Sequence, residues 1–546
     1  MQILWIDLNA SYAHASLALP SIHAQVQSDD WAWSVVSATT EGAHRPILEE
    51  ALRIQPRLVV ATAWLFNHRS LQEILSRLKA LLPNCFILLG GPEFLGPNEA
   101  YLRQHTYIDA LFRGEGEEIF PQYLNRWPQD HGRSALPGFC YLDDEGRYHD
   151  HGQAKVQDFA ALRPPESSPF FPWNKPFVQI ETARGCLNHC SFCVSGHDAP
   201  LRELPLDSLR ERIEQLCQRG VREIRLLDRT FNIRLARAAK LLQLFGEFAG
   251  RLRFHLEVHP GWLSPLLRTC LQEAPEGLLH IEAGVQSLHN EVLQASGRKG
   301  DVQSCLDGLR FLCACPNFET HVDLIAGLPQ YSLAQLKVDV TSLMALAPAE
   351  IQLELLKVLP GTPFRLQAAQ LGLCYAPLPP YEILSTPAAS VQDLGQAQAL
   401  SRLLDHWYNG HTDWRIPFAC AVVQEPQFLE DFLQEMSAKE LLFQPLSMET
   451  RGLLLYEFCQ SCYPQQLTAV RLAWICGGHS LKKAPAQALQ PWKQPPSSSP
   501  IKYYHLESPS GPYWFGFDSR LQQRQPVCVL RTPPEIKSGD RHLAAP

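Results

Sequence analysis

The chain has 546 residues, of which 45% are hydrophobic and 19% are charged, and its formal net charge is −8. At roughly 150 residues per domain, this length predicts three or four domains with an ordinary globular composition. The negative net charge argues against a surface that binds nucleic acid or anionic membranes. No apolar run reaches the roughly 18 residues that a membrane span needs.

Sixteen cysteines are present, and most of them are scattered singly among apolar residues. This distribution favours reduced, buried thiols over a disulfide framework, so we expect a cytoplasmic protein. The first seven residues contain no basic segment before their apolar run, and we therefore expect no signal peptide.

Residues 1–125 alternate strand-like and helix-like segments. Strands are predicted at 2–8, 33–38, 57–63, 85–89 and 110–112. One of the helices between them is predicted at 70–82, with Ser70 as its N-cap. Such alternation predicts an α/β fold with a Rossmann-like, doubly wound parallel sheet, whose ligands bind beyond the carboxyl ends of the strands.

Two glycine-containing turns follow the fourth and fifth predicted strands. Their candidate ligand-binding residues are Gly90, Gly91, Glu93, Gly114 and Gly116. Nicotinamide binding is poorly supported, because the second turn lacks the third glycine and its glutamates would repel a pyrophosphate.

Residues 126–175 read as a connector that contains a hairpin and a proline-rich extended segment. Residues 176–385 contain six strand–helix units, with strands predicted at 177–182, 223–227, 253–258, 278–282, 319–325 and 351–358. This pattern predicts a partial (β/α)6 barrel of the TIM type, in which chemistry collects at the carboxyl ends of the strands.

Three cysteines, Cys186, Cys190 and Cys193, follow the first predicted barrel strand at CxxxCxxC spacing. Three thiolates can hold three irons of a four-iron cluster and leave the fourth iron open for a small ligand, whereas electron-transfer clusters usually have four cysteines. The alternatives are a zinc site completed by His189 or His197, or thiols that bind nothing.

This motif resembles the radical S-adenosylmethionine (SAM) superfamily. The resemblance implies an enzyme in which SAM chelates the open iron of a [4Fe-4S] cluster. Cleavage of SAM by an electron from the cluster then gives methionine and a 5′-deoxyadenosyl radical.

Further positions resemble the SAM-binding residues of the oxygen-independent coproporphyrinogen oxidase group. The resemblance implies that Arg298 pairs with the SAM carboxylate, that Asp323 contacts the ribose and that Phe192 lies near adenine. It adds two SAM-binding residues at strand ends, Glu257 and Gln286. One departure is the segment 228–232, where a glycine-rich loop is common in the family, so Asp228 and Asn232 either contact ligand or cap the next helix.

The two glycine-containing turns resemble the N-terminal domain of cobalamin (B12)-dependent radical SAM proteins, in particular a subfamily with an uncharacterised helical C-terminal domain. The resemblance implies cobalamin binding at the five residues of those turns. The DxHxxG motif that supplies a histidine to cobalt in B12-dependent mutases is absent. The alternative is a degenerate domain in which the glycines only terminate strands.

Residues 386–475 change to helical patterns, at 391–407, 427–436 and 449–462, and resemble the C-terminal domain of the same subfamily. Cys459 and Cys462 form a CxxC pair that we interpret as ordinary cysteines, because no second pair lies nearby. Residues 476–546 contain a Pro/Ser-rich linker and a short terminal β unit.

The resemblance implies that methyl transfer to an unactivated carbon is the commonest outcome, with rearrangement, cyclisation or sulfur transfer as alternatives. A flavodoxin- or ferredoxin-type electron donor is the implied partner. The alternative to an enzyme is a protein that binds a metal or an iron–sulfur cluster without SAM chemistry. Radical modification of RNA is a further alternative, but no basic patch in the sequence supports it.

Overall fold

The computed structural model describes residues 1–28, 30–130, 132–196, 200–410, 412–492, 500–521 and 524–532. The chain divides into two compact units. The first consists of Met1–Leu333 and Leu355–Leu394, and the second consists of Ala334–Glu354 and Gly395–Pro546.

A seven-stranded sheet forms the N-terminal part of the first unit. Its strands are β1 (Gln2–Asn9), β2 (Ala32–Thr39), β3 (Leu58–Thr62), β4 (Phe86–Gly90), β5 (Ala110–Phe112), β6 (Phe139–Leu142) and β7 (Tyr148–Asp150). The order is β2-β1-β3-β4-β5-β6-β7, with the first five strands parallel and the last two antiparallel. The winding reverses at β1, so the carboxyl ends of β1 and β3 border the crevice where ligands of this fold bind.

Helices cover both faces of this sheet. They are α1 (Ala18–Gln25), α2 (Arg45–Ile54), α3 (His68–Leu81), α4 (Glu99–Gln104) and α5 (Ile119–Asp130). Successive strand residues point to opposite faces, so Leu4 packs in one core with Leu71, while Ile3 packs in the other with Tyr123. The hairpin β6–β7, which the sequence assigns to a connector, extends this sheet.

The predicted N-cap of α3 is wrong. The helix begins at His68, and Ser70 lies inside it. The preceding residue, Asn67, instead uses its side-chain amide to donate to Leu8 O at 2.8 Å and to Thr62 O at 3.0 Å. This amide ties the ends of β1 and β3 together, and that long-range contact has no local sequence signal.

A second parallel sheet forms the partial barrel. The remaining strands up to residue 385 are β8 (Val178–Ile180), β9 (Ala183–Arg184), β10 (Arg202–Glu203), β11 (Glu223–Leu226), β12 (Arg253–Val258), β13 (Leu279–Gln286), β14 (Glu319–Ala326), β15 (Glu350–Leu355), β16 (Cys374–Tyr375) and β17 (Ile383–Ser385). The sheet order is β15-β14-β13-β12-β11-β8, so neighbours in space follow one another in the chain. The pairs from β8 to β14 are parallel.

Helices alternate with these strands. They are α6 (Leu206–Gln218), α7 (Leu235–Gly246), α8 (Pro265–Gln272), α9 (Asn290–Ala295), α10 (Val302–Ala314), α11 (Leu333–Met344) and α12 (Pro363–Leu366). One sheet face packs on helices, as where Phe254 stacks on Phe245 with ring centroids 4.1 Å apart. The predicted α/β class, with a doubly wound N-terminal sheet and a partial barrel, is confirmed, although the hairpin adds two antiparallel strands to the first sheet.

The other face of β12–β14 carries a polar ladder, formed by Arg253, His255, His280, Glu282, Glu319 and His321. His280 lies at its centre, with Nδ1 2.6 Å from Arg253 Nη2 and Nε2 3.3 Å from His321 Nδ1. Burial, together with the neighbouring His321, lowers the pKa of His280 to about 3.

Three side chains of the ladder, His280, Glu319 and His321, have ligand atoms within 4.8 Å of one another, as a metal site would require. Arg253 nevertheless donates to His280 Nδ1, so the neutral ring carries its proton on Nε2, the atom that faces His321. Both ring nitrogens are thus used in hydrogen bonds, and the ladder is better described as a hydrogen-bond network than as a metal site.

The second unit is mainly helical, as predicted for the C-terminal part. Helix α13 (Val391–Trp407) enters it, and α14 (Arg415–Gln424), α15 (Phe428–Ala438), α16 (Met448–Cys462) and α17 (Leu467–Cys476) follow. The sequence patterns do not predict α14, which contains Pro417. That proline lies in the first turn, where no intrahelical N–H bond is lost.

A small antiparallel sheet of β18 (Gln490–Pro491), β19 (Ile501–Leu506), β20 (Tyr513–Asp518) and β21 (Cys528–Leu530) ends the described chain. The CxxC pair has unequal surroundings, since Cys459 is buried and Cys462 is exposed. Within the described ranges, every helix falls short of the length and apolarity that crossing a membrane requires.

Candidate functional site

The three cysteines lie in one loop, which follows β8 and β9. Cys186 and Cys190 are buried, and Cys193 is half-buried. Burial raises the pKa of the Cys190 thiol; Arg298 lowers it, and the thiols of Cys193 and Cys186 raise it further. The three sulfur atoms therefore lie close enough to one another to interact electrostatically.

Asp228 positions the start of this loop. Its carboxylate accepts hydrogen bonds from the backbone N–H of Thr182 at 2.7 Å and of Ala183 at 3.1 Å, and from the Thr182 hydroxyl. Burial raises the pKa of Asp228 to about 6, although these hydrogen bonds lower it. Asp228 therefore does not cap the next helix, the second role open from sequence, but fixes the segment that leads into the cysteine loop.

Asn232 is also used within the protein. Its amide nitrogen donates to the carbonyl oxygens of His259 at 2.9 Å and Trp262 at 2.8 Å, and its oxygen accepts from the His259 N–H at 2.8 Å. It therefore joins the segments after β11 and β12.

A second segment, residues 296–299, supports the cysteine loop from the end of α9. Ser296 O accepts from Ser191 N at 2.8 Å, and Lys299 Nζ donates to Leu187 O at 2.8 Å. Between them, Arg298 Nη1 donates to Cys190 Sγ at 3.7 Å, and its Nη2 donates to Gly284 O. Arg298 is thus placed at the thiols themselves.

Three predicted SAM-binding side chains converge on Gly284. A Cβ built on this glycine would lie 2.8 Å from Gln286 Nε2, 3.4 Å from Arg298 Nη2 and 4.0 Å from Asp323 Oδ2. Gly284 therefore leaves open the space that these side chains border, and sequence reasoning missed it because a single strand glycine is a weak signal.

One buried oxygen on each of two of these side chains, Gln286 Oε1 and Asp323 Oδ1, has no hydrogen-bond partner in the described part of the chain. Buried polar atoms are normally paired, so both are candidates for contact with a polar ligand. Gln286 also has φ +74°, a conformation that residues other than glycine rarely adopt and that often marks functional sites.

The acidic groups of this site have strongly shifted pKa values. Burial raises the pKa of Asp323 well above its usual value, and the neighbouring Glu282 carboxylate raises it further. Burial also raises the pKa of Glu257 to about 7, although Arg229 lowers it. The carboxyl groups thus lie in a crowded, poorly solvated volume, as expected for a ligand site.

Phe192, the residue before Cys193, has its ring centroid 6.4 Å from that of Phe364. The Phe364 N–H donates to Ser191 O at 3.0 Å, so the segment after β15 also supports the cysteine loop.

The three thiols are spaced too widely for a single tetrahedral zinc ion. In a tetrahedral zinc site with Zn–S distances of about 2.3 Å, the sulfurs lie within about 4 Å of one another. Among the described residues, the three cysteines do not form a group whose ligand atoms are all within 4.8 Å. Of the two proposed fourth ligands, His189 Nδ1 faces Gly196 O at 3.2 Å, and His197 lies outside the described residues.

The glycine-containing turns of the N-terminal sheet contact the protein itself. A Cβ on Gly91 would lie 2.5 Å from Ala63 O, one on Gly114 would overlap Ala154 O, and one on Gly116 would lie 3.1 Å from Ile22. Glu93 is buried and accepts from the Tyr381 hydroxyl at 2.6 Å.

Gly90 is the least restricted of the five residues, since a Cβ there would be 3.8 Å from Phe112. Contacts within the protein explain why most of these five residues are needed even without a ligand. Their role in cobalamin binding stays a prediction.

Aromatic side chains lie at the switch point of this sheet instead. Tyr12, after β1, is 79% exposed, and Phe66, after β3, is 44% exposed and stacks on Trp64 with an interplanar angle of 6°. Exposed aromatics at the carboxyl ends of β1 and β3 suit a large, flat ligand. Aromatic residues directly after two strands were the sequence signal that could have identified them.

Comparisons with known proteins agree with this site. Residues 180–341 match the model of the Radical SAM superfamily. This match covers the cysteine loop and strands β11 to β14. The resemblance drawn from the cysteine motif is thereby confirmed.

Curated relatives match only in part. A tRNA-2-methylthio-N(6)-dimethylallyladenosine synthase of Acinetobacter baumannii (strain AYE) is 28% identical over 265 residues, covering 46% of this chain and 52% of its own. The cobalamin-dependent radical SAM methyltransferase TokK of Streptomyces tokunonensis is 24% identical, covering 57% and 48%. The chain thus spans about half the length of these relatives.

Solved structures share the fold over a larger part of the chain. The methyltransferase TsrM of Kitasatospora setae superimposes with a TM-score of 0.57 at 20% identity, covering 69% of this chain and 77% of its own. The cobalamin-dependent enzyme OxsB superimposes with a TM-score of 0.60 at 13% identity, covering 86% and 78%.

Proposed function

We propose that this protein is a radical SAM enzyme in which Cys186, Cys190 and Cys193 hold a [4Fe-4S] cluster and SAM occupies its open iron. The observation that carries the proposal is the convergence of Gln286, Arg298 and Asp323 on Gly284, with Arg298 also in contact with the Cys190 thiol. The two unpartnered buried oxygens there fit the polar groups of an amino acid and a ribose.

Each of these side chains would bind a different part of SAM. The Arg298 guanidinium would pair with the SAM carboxylate, Gln286 Oε1 would accept from its amino group, and Asp323 would accept from a ribose hydroxyl. Glu257 and Phe192 complete the set, and the buried walls exclude water from the radical. When bound, the cluster supplies the electron that cleaves SAM to a 5′-deoxyadenosyl radical, and methylcobalamin supplies a methyl group.

Cobalamin is the second cofactor of the proposal, with methyl transfer to an unactivated carbon as the reaction. The doubly wound N-terminal sheet and the aromatics at its switch point support a corrinoid there. Tyr12, Trp64 and Phe66 would contact it, with Gly90, Gly91, Glu93, Gly114 and Gly116 shaping the turns behind. TokK, TsrM and OxsB are named as cobalamin-dependent or cobalamin-bound, which supports the same cofactor.

The cluster test uses anaerobically reconstituted protein. We expect about four irons per chain and 5′-deoxyadenosine from SAM after dithionite reduction. Cys186→Ala should lose both, while Cys374→Ala, which removes an exposed cysteine outside the loop, should keep both. Equal behaviour of the two variants would refute the radical SAM assignment.

The cobalamin test is spectroscopic. Protein produced with hydroxocobalamin should show a corrinoid spectrum beside that of the cluster, and Trp64→Ala should lower the bound corrinoid without changing the iron content. Trp173→Ala serves as the matched control, since this tryptophan packs against Phe171 and Arg219 instead. Corrinoid-free protein with a full cluster would contradict the cofactor and favour rearrangement or cyclisation.

Sulfur transfer is the second candidate reaction, because methylthiotransferases are among the relatives. Product mass distinguishes the two outcomes, since a methyl group and a methylthio group differ by one sulfur. A methylthio product would replace methyl transfer as the proposed reaction.

A further inference from the structure

Glu282 is the residue of the polar ladder that lies nearest along β13 to the candidate SAM site. It is opposite Glu257 of β12 and His321 of β14, and Gly284 follows it on the same face of β13. The proposed function gives this carboxylate no role, although it lies two residues before the glycine on which the SAM-binding side chains converge.

Two side chains reach Glu282 from the neighbouring strands. His255, which is opposite His280, places its Nε2 2.9 Å from Glu282 Oε2. Asp323, which is opposite Gly284, has its carboxyl group in hydrogen-bond contact with that of Glu282. Because Gly284 has no side chain, nothing on β13 separates the two carboxyl groups. The three side chains therefore form a row across three strands, and the row ends at the candidate SAM site.

Two carboxyl groups can hydrogen-bond to each other only if one of them holds a proton, because an ionised carboxylate is an acceptor only. Burial raises the pKa of Asp323 well above its usual value, whereas the hydrogen bond from His255 lowers the pKa of Glu282. The proton therefore belongs to Asp323. One of its oxygens then donates to Glu282, and the other stays an acceptor.

We propose that Glu282 is a positioning residue for SAM binding, which orients Asp323 through one shared proton while His255 anchors it from the other side. The inference rests on the proposed function, because the ribose contact of Asp323 belongs to that proposal. The row fixes the direction in which Asp323 presents its acceptor oxygen. It also leaves a single negative charge on the pair, which reduces the repulsion from the nearby Glu257.

The first test measures the affinity for SAM by calorimetric titration of anaerobically reconstituted protein, with iron content determined in parallel. We expect Glu282→Ala to weaken SAM binding at least about tenfold, because Asp323 loses the partner that fixes its orientation. Glu282→Gln should stay within about threefold of the unaltered protein. Its amide N–H can donate to an ionised Asp323, and its amide oxygen can accept from His255.

Glu319→Ala is the matched control for this titration. Glu319 lies on the same face of β14 as Asp323, but it accepts from Arg253 Nη2 at 3.0 Å. The control should bind SAM with unchanged affinity. A loss as large as that of Glu282→Ala would mean that either glutamate acts only by stabilising the barrel, and it would overturn the positioning role.

The second test detects the shared proton by infrared difference spectra of SAM binding. At about pH 8, Glu257 is largely ionised because its pKa is about 7. The unaltered protein should show the carbonyl band of a protonated carboxyl group moving to lower frequency, since its free oxygen gains a hydrogen bond from the ribose. Glu282→Gln should lack this band shift, because its Asp323 is ionised. A merely structural glutamate would leave the band shift in place.

The outcomes separate the positioning role from the proposed function. Unchanged SAM affinity in Glu282→Ala, or equal weakening in Glu282→Gln, would overturn the positioning role while leaving the radical SAM assignment intact. Persistence of the band shift in Glu282→Gln would overturn it too, and this comparison decides if Glu282→Ala fails to fold. Absence of SAM binding by the unaltered reconstituted protein would remove the proposed function, and the positioning role with it.

Discussion

At the scale of single residues, Gly284 determines whether the candidate site is open. Its missing side chain leaves room at the meeting point of Gln286, Arg298 and Asp323. The nearest atoms are the ends of side chains rather than backbone, so an added methyl group would displace those ends and leave the fold intact.

We therefore expect Gly284→Ala to weaken SAM binding at least about tenfold, since overpacking costs about 1–3 kcal/mol. Calorimetric titration of the reconstituted protein with SAM measures this, with iron content determined in parallel. Gly246→Ala is the control, because a Cβ there meets nothing within 4 Å. Equal SAM affinity of both variants would show that the space at Gly284 is not used.

Asp228 is a residue on which the loop geometry depends. Asp228→Ala would leave two backbone N–H groups and a hydroxyl without their acceptor, so we expect a loss of about 3 kcal/mol in stability and poorer iron retention. Chemical denaturation and iron analysis measure the two effects. Asp207→Ala, at a carboxylate with 94% exposure, should change neither.

At the scale of elements, the polar ladder on β12–β14 makes the barrel sensitive to acid. His280 has its pKa lowered to about 3 in the folded chain, against about 6.5 when unfolded. The unfolded state therefore binds a proton that the folded state does not, and stability is lost as the pH falls from about 6.5 towards 3.

At pH 5 this difference amounts to about 2 kcal/mol. His280→Gln should remove that part of the pH dependence, so the stability difference between pH 8 and pH 5 should be smaller in the variant. Urea denaturation at the two pH values measures it, and each protein serves as its own control. An identical pH dependence would mean that His280 becomes protonated without cost.

The sequence predicts most of the elements because local periodicity sets them, and the barrel strands differ from the predictions by a few residues at their ends. It also indicates the three cysteines, whose spacing is local. Contacts between distant segments could not be predicted in this way, including the carboxylate of Asp228 on Thr182 and the convergence at Gly284. Tyr12 and Phe66 follow two predicted strands, which was a signal in the sequence, but their exposure is a property of the fold and could not be read from it.

At the scale of the whole molecule, ion pairs join the N-terminal sheet to the barrel within the first unit. Arg202 contacts Glu115 at 2.6 Å, and Arg184 contacts Glu117 at 3.0 Å. The glutamates thus serve packing between the two sheets. Gly96 adds a close backbone approach, since a Cβ on it would lie 3.0 Å from Gly361 N.

Arg202→Ala would remove the closest cation from the largely buried Glu115 and leave it with Arg184 at 3.8 Å and the Val156 N–H, for which we expect a loss of about 3 kcal/mol. Arg45→Ala removes an exposed pair with Glu49 and should cost less than about 1 kcal/mol. Chemical denaturation followed by tryptophan fluorescence measures both losses. A small effect in Arg202→Ala would mean that water replaces the arginine at this junction.

The backbone of Gln286 has a consequence for how the protein would respond to selection. A residue with a side chain at φ +74° costs of order 1 kcal/mol or more, which glycine would avoid. A library screened for heat resistance alone would therefore enrich Gln286→Gly and discard an amide that borders the candidate SAM site. We expect variants selected in this way to lose SAM cleavage while they gain stability. Such screens therefore need to be paired with a SAM-cleavage assay.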